Sequence, residues 1–192
     1  VLDYGHGGSQ PGTTYGELKE KSFNLALGQL IYNELHRQKE GEQNIQVMLT
    51  RDADYKVPLR VRRNLINQHH QNIPIDLVCS IHHNSAERES AHGFECYYMD
   101  GSVKGALFSQ HIVDAVKTTG TYLRNGGLIT TSQLGKNLAM IHRVSPPSVL
   151  IEAGYLSNAS DRNKIVDSSY RLLLAQNVAS GIWSALNSGG NH

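Results

Sequence analysis

The sequence predicts an α/β fold: a single domain with a mostly parallel or mixed central sheet and helices on both faces. Three observations carry that reading. Short apolar runs of strand length recur between stretches with helical spacing. The run Ile75 to His82 is almost unbroken in apolar character, as a strand buried on both faces requires. No internal repeat or compositional boundary divides the 192 residues.

The elements follow in order. A first strand opens in the apolar run Val1-Leu2, and the absence of an initiator Met or signal peptide reads as a processed or trimmed start. Phe23, Leu27, Leu30 and Ile31 share one face of a first helix. Ile45, Val47 and Leu49 then alternate with Gln46, Met48 and Thr50, the period of a strand. Pro58 suits the first turn of a second helix that runs to about His70. After the Ile75–His82 strand come a strand from Gly93 to Met99, a helix from Leu107 to Val116 and a strand from Ser148 to Ile151. Leu174, Val178, Ile182 and Ala185 are in register on a closing helix from Tyr170 to Leu186. The Thr/Gly-rich stretch from Thr118 to Gln133 has no clear period and reads as a surface loop. Residues 1–187 read as one domain, and 188–192 as a tail or the start of a linker.

Composition removes several function classes. Eighteen Lys and Arg against seventeen Asp and Glu leave a formal charge of +1, so no nucleic-acid partner is expected. The longest apolar runs fall far short of the ~20 residues of a spanning helix, so no membrane span is expected. Cys79 and Cys96 are too few for a disulfide framework and read as buried free thiols. Gly5-His6-Gly7-Gly8-Ser9-Gln10 lacks the third glycine of a dinucleotide loop, and neither HExxH nor GxSxG occurs. The cluster Arg60, Arg62 and Arg63 reads as a solvated helix face.

Of the ten histidines, His36, His111 and His142 fall within helical patterns, His69-His70 end a helix and His192 is terminal; these read as surface or structural. His6 and His82 differ, because each stands at the carboxyl end of a strand, where an open α/β sheet forms its ligand crevice. Glu152, after Ser148 to Ile151, faces the same crevice. Glu20 precedes the first helix, whose N-terminus favours a carboxylate, and the Gly-rich loop from Gly7 to Gly16 returns it toward His6. Two imidazoles and one carboxylate suffice for catalytic zinc, with a second carboxylate left as base. On the residues alone, His83 rivals His82, and Asp3, Glu17 and Asp76 rival Glu20; neighbours on a strand point to opposite faces, so only one of the paired histidines can reach a metal.

Five segments in order, Leu2-Asp3-Tyr4-Gly5-His6-Gly7-Gly8, Leu18-Lys19-Glu20-Lys21, Leu49-Thr50-Arg51, Ser80-Ile81-His82-His83-Asn84 and Val149 through Glu152 to Asn158, resemble the zinc-dependent N-acetylmuramoyl-L-alanine amidases of the Amidase_3 type. The resemblance covers nearly the whole chain. It implies Zn²⁺ held by His6, Glu20 and His82, Glu152 as the catalytic carboxylate, and peptidoglycan as the substrate. It also implies a monomer acting in the cell wall, periplasm or extracellular space, or a phage enzyme acting on a host wall. Tyr4, His83 and Tyr155 depart from the family's usual Pro, small residue and Phe. The segment after His82 is too short for the autoinhibitory helix of some cell-division relatives, which suits an endolysin or autolysin with an open site. The expected chemistry is attack of a zinc-activated water on the lactyl carbonyl, Glu152 carrying the proton to the departing amine, with Asn84 and the loop Gly7 to Gly16 touching substrate. Two rivals are a wall-binding domain without turnover and a zinc peptidase acting within the peptide stem.

Overall fold

The structure, a computed structural model, describes residues 1–38 and 45–188. In chain order its elements are β1 (Leu2–Tyr4), β2 (Thr14–Tyr15), β3 (Leu18–Lys19), α1 (Glu20–Arg37), α2 (Leu59–Asn72), β4 (Val78–Asn84), β5 (Phe94–Tyr98), α3 (Val103–Lys117), β6 (Leu123–Thr130), α4 (Thr131–Leu134), α5 (Ala139–His142), β7 (Ser148–Tyr155), α6 (Ala159–Val166) and α7 (Ser168–Ser188). Five strands form one sheet in the order β1-β4-β7-β5-β6. It is mixed: β1, β4 and β7 run parallel, β5 is antiparallel to β7, and β6 is parallel to β5. The remaining two strands, β2 and β3, make an antiparallel hairpin that leads into α1.

Alternation along β4 divides the two faces. Cys79 and Ile81 join the main core with Leu27 and Ile31 of α1, Ile112 of α3 and Val178 and Ile182 of α7. Val78 joins a smaller core on the other face with Ile66 of α2 and Met140 of α5. Both Cys79 and Cys96 are buried free thiols, and burial pushes Cys96 up to about 12. Tyr4 is fully buried on β1 and lies against α1, where a Cβ at Gly28 would collide with its ring. The Tyr4 hydroxyl has no hydrogen-bond partner.

Several boundaries differ from the expectation. Residues 118–133 do not form a loop: they contain edge strand β6 and α4, whose capping box joins Thr130 and Gln133. Glycine and threonine there obscure the period because β6 is interrupted by a bulge. Ile45 to Thr50 is not a strand but lies beside β1 through one bridge, Leu2 to Leu49, with Leu2 N–H donating to Met48 O and Thr50 N–H to Leu2 O. Strand β4 starts at Val78 and continues to Asn84, and β7 continues past Ile151 to Tyr155, so His82 and Glu152 both lie inside their strands rather than at the ends. Arg62 is buried rather than solvated, because its guanidinium pairs with Asp3 at 2.8 Å across the α2–sheet interface. Ser188 ends α7, and 189–192, including His192, lie outside the described residues.

Candidate metal centre and adjoining cleft

Glu20 is the first residue of α1, so the carboxylate sits at the helix's positive end. Two loop contacts fix it: Thr13 N–H donates to its Oε2 at 2.9 Å, and its own N–H donates to Thr13 O. His6 Nε2 lies 3.2 Å from Glu20 Oε2, and His82 Nδ1 lies 2.8 Å from Glu20 Oε1. The imidazoles of His6 and His82 meet edge to face with centroids 5.1 Å apart. One ligand atom from each of His6, Glu20 and His82 falls within 4.8 Å of the others. Burial would raise the Glu20 carboxyl, but hydrogen bonds from His6 and His82 outweigh it and hold the group well below the usual carboxylate range. Two imidazoles and a carboxylate at this separation are a donor set that fits a tetrahedral metal with one open position.

The local backbone is unusual at this point, and two arginines hold it. His6 has a φ of 61°, the left-handed region that non-glycine residues rarely enter. Gly5 before it must be glycine, since a Cβ there would run into the His82 imidazole. Arg51 donates from Nε to Tyr4 O at 2.8 Å and from Nη2 to Gly5 O and Lys21 O. Arg62 donates to Asp3, Tyr4 O and His6 O. Both arginines are buried, and together they bind the carbonyls of the strand end that carries His6.

His83 follows Cys79 and Ile81 in the alternation of β4 and is not one of the three grouped ligand residues, although its backbone N–H is directed at Glu20 Oε1 at 3.4 Å. Its Nδ1 donates to Asn24 Oδ1 at 2.8 Å, and its ring meets Phe23. Burial lowers it to about 4, so it is neutral at physiological pH. Asn24 Nδ2 in turn donates to Gly5 O and Glu20 Oε1. Of the rival carboxylates, Asp3 is committed to Thr50, Ser80 and Arg62.

Glu152 is the register partner of His82 on the adjacent parallel strand. Its Oε2 is enclosed and has no hydrogen-bond partner. Burial pushes its carboxyl well above the ordinary range, and the charges of Glu20 and Glu95 add to that. Beside it opens a cleft of about 530 Å³ that also exposes Asn84, Tyr97, Arg124 and Tyr155. Glu95 lies buried in the wall of this cleft: its Oε2 accepts from Asn84 Nδ2, the Tyr97 hydroxyl and the Tyr155 hydroxyl, and its Oε1 lies 3.3 Å from Arg124 Nε. Sequence reasoning missed Glu95, although an acidic residue between Phe94 and Cys96 in an apolar strand was a legible signal of a committed buried charge.

This geometry coincides with a match over residues 1–184 to the family model for Amidase_3, N-acetylmuramoyl-L-alanine amidase. The chain belongs to that family. It is 30% identical over 187 residues to the sporulation-specific N-acetylmuramoyl-L-alanine amidase of Bacillus subtilis, covering 97% of this chain and 67% of the relative. It is also 30% identical over 186 residues to the probable cell wall amidase LytH of Staphylococcus aureus, covering 95% of this chain but only 56% of that protein. The crystal structure of an N-acetylmuramoyl-L-alanine amidase from Clostridium difficile 630 superposes with a TM-score of 0.84 at 29% identity, covering 98% of this chain and 96% of that one. The activity that goes with this amidase membership is hydrolysis of peptidoglycan. No helix among the described residues is long and apolar enough to cross a membrane.

Proposed function

We propose that the amidase works as a zinc enzyme in which His6, Glu20 and His82 hold the metal and Glu152 is general base and then general acid. The observation that carries this reading is the pairing of a three-ligand cluster with a separate, enclosed carboxylate whose Oε2 has no partner. Zinc held by these three residues would lower the pKa of a coordinated water toward ~7 and would polarise the scissile carbonyl. Glu152 accepts the proton of the attacking water and passes it to the departing amine of L-alanine, a double transfer for which a carboxyl with raised proton affinity is suited. Asn84 has its amide donors engaged by Glu95 and Tyr97, so its contribution to substrate binding runs through the cluster that forms the cleft wall. Peptidoglycan in a cell wall is the substrate, the site of action is outside the membrane or on a host wall, and the working unit is a monomer. Mass analysis of soluble fragments from digested peptidoglycan tests the bond assigned: intact stems released from glycan support it, cleavage within the stem makes the chain a peptidase, and no release makes it a wall-binding domain.

A further inference from the structure

Strand β6 is broken where it passes the cleft. Phe94 pairs with Leu123 and Cys96 with Leu128, so two residue steps on β5 are matched by five on β6. The excess is taken up by Arg124, Asn125, Gly126 and Gly127, the last three with φ of 50°, 79° and 83°. A bulge held by three consecutive left-handed residues is a specific local structure, and bulges of this kind re-aim side chains near active sites. Here the re-aimed side chain is Arg124, which lines the cleft beside Glu152.

Arg124 is held in place on one side only. Its Nε lies 3.3 Å from Glu95 Oε1, and its guanidinium sits 5.4 Å from the centre of the Tyr155 ring. Among the described residues its two Nη groups have no hydrogen-bonded partner. Lys136, just after α4, lines the same cleft, lies close enough to Glu152 to bear on its charge, and likewise has no ion-pair partner among the described residues. The wall contains one further charge, Glu95, already bonded by Asn84, Tyr97 and Tyr155.

We infer that Arg124, with Lys136, forms a subsite for a carboxylate of the peptide stem, so that this amidase selects stems whose second residue carries a free acid over those in which it is amidated. The inference rests on the amidase reading and assigns the specificity of the same cleft. A planar guanidinium whose Nε is paired with Glu95 and which lies over the Tyr155 ring has its Nη groups left to meet a carboxylate, whose two oxygens match a guanidinium's N–H pair in bidentate fashion. A carboxamide offers one acceptor and places its own donors against the guanidinium, so amidation removes the charge and half of the fit. The alternative role for Arg124 is as counter-ion to Glu95 alone.

Calorimetric titration separates these. The full chain carrying Glu152→Gln is titrated with a synthetic muramoyl dipeptide bearing either a free carboxylate or a carboxamide at its second residue. The carboxylate form should bind about tenfold or more tightly. Arg124→Gln should abolish that preference, Arg124→Lys should retain part of it, and Lys136→Met should weaken the carboxylate form several-fold while leaving the carboxamide form within about twofold. Equal binding of the two forms, or no binding of either, overturns the subsite. So does an equal loss for both forms in Arg124→Gln accompanied by a lowered melting temperature, the signature of a counter-ion. Should that variant fail to fold, the exposed Lys136→Met decides, and an unchanged preference overturns the subsite. Release of intact stems from peptidoglycan is measured separately with the parent chain; no release, with the carboxylate preference kept, would refute the amidase mechanism and leave the subsite standing.

Discussion

Glu95 and Glu152 face each other as register partners across antiparallel β5 and β7, two carboxylates side by side, of which only Glu95 has its oxygens satisfied. The same sheet therefore makes one acid a fixed strut and leaves the other open to a proton. Burial raises the proton affinity of Glu152, and the Glu95 charge opposite adds to it.

Glu152→Gln should keep its metal and lose catalysis. General-base assistance contributes about 10²–10⁴-fold, and a residue that moves the proton twice belongs at or beyond the upper end. Metal content and stem release are measured on the same preparation. Activity within a few-fold of the parent would remove Glu152 from the mechanism, and loss of zinc would make it a ligand.

Zinc should be present at about one per chain, and a chelator should abolish hydrolysis that added zinc restores. Elemental analysis that finds no zinc in fully active protein refutes the metal reading.

His82→Ala should lose zinc, whereas His83→Ala should retain it, because His83 is turned to Asn24 and Phe23 on the opposite face of β4. His83 should instead affect acid stability. Its pKa is lowered to about 4, so below its ordinary 6.5 the unfolded chain takes up a proton that the fold refuses, and stability falls as pH drops from about 6.5 to about 4. Denaturant midpoints across that window should flatten in a His83→Gln variant; an unchanged slope assigns the loss elsewhere.

Arg62→Met should destabilise the domain by about 3–5 kcal/mol, since it leaves Asp3 charged, buried and without its ion pair. Burial opposes ionisation of Asp3, but Arg62, Ser80 and Thr50 together hold its carboxyl below the ordinary 3.8, so its contribution to stability is intact above that value and is lost as pH falls through the lower folded value. The variant should therefore also lose the acid limb due to Asp3. Urea midpoints at neutral pH and near pH 3 check both; a loss under 1 kcal/mol at neutral pH contradicts the assigned pairing.

Tyr4→Phe should stabilise the domain by about 1 kcal/mol, because the hydroxyl it removes is buried with no partner while the ring that fills the space over Gly28 is kept. A lowered melting temperature would show that the hydroxyl is satisfied in solution.

The sequence by itself determined the layered α/β class, the helices α1, α2, α3 and α7, and the buried strands β4 and β7, because apolar periodicity over such lengths is local and strong. It also singled out His6, Glu20, His82 and Glu152 as candidates, since a helix start and the ends of apolar runs are local features and the order of their flanking segments resembles one family, although β4 and β7 run on past His82 and Glu152. Tertiary structure alone decided the rest. Whether β5 runs with or against β7 depends on where a connection returns, which no window of residues encodes. Strand β6 was illegible because its bulge destroys the period of two, and that same bulge brings Arg124 to the cleft. Arg62 has the spacing of a solvated helix face, and only the approach of α2 to Asp3 makes it buried; the partner that changes the meaning of a charge is 59 residues away in the chain. Local pattern can place a side chain on a face, but the charge it meets there is set by packing between distant segments.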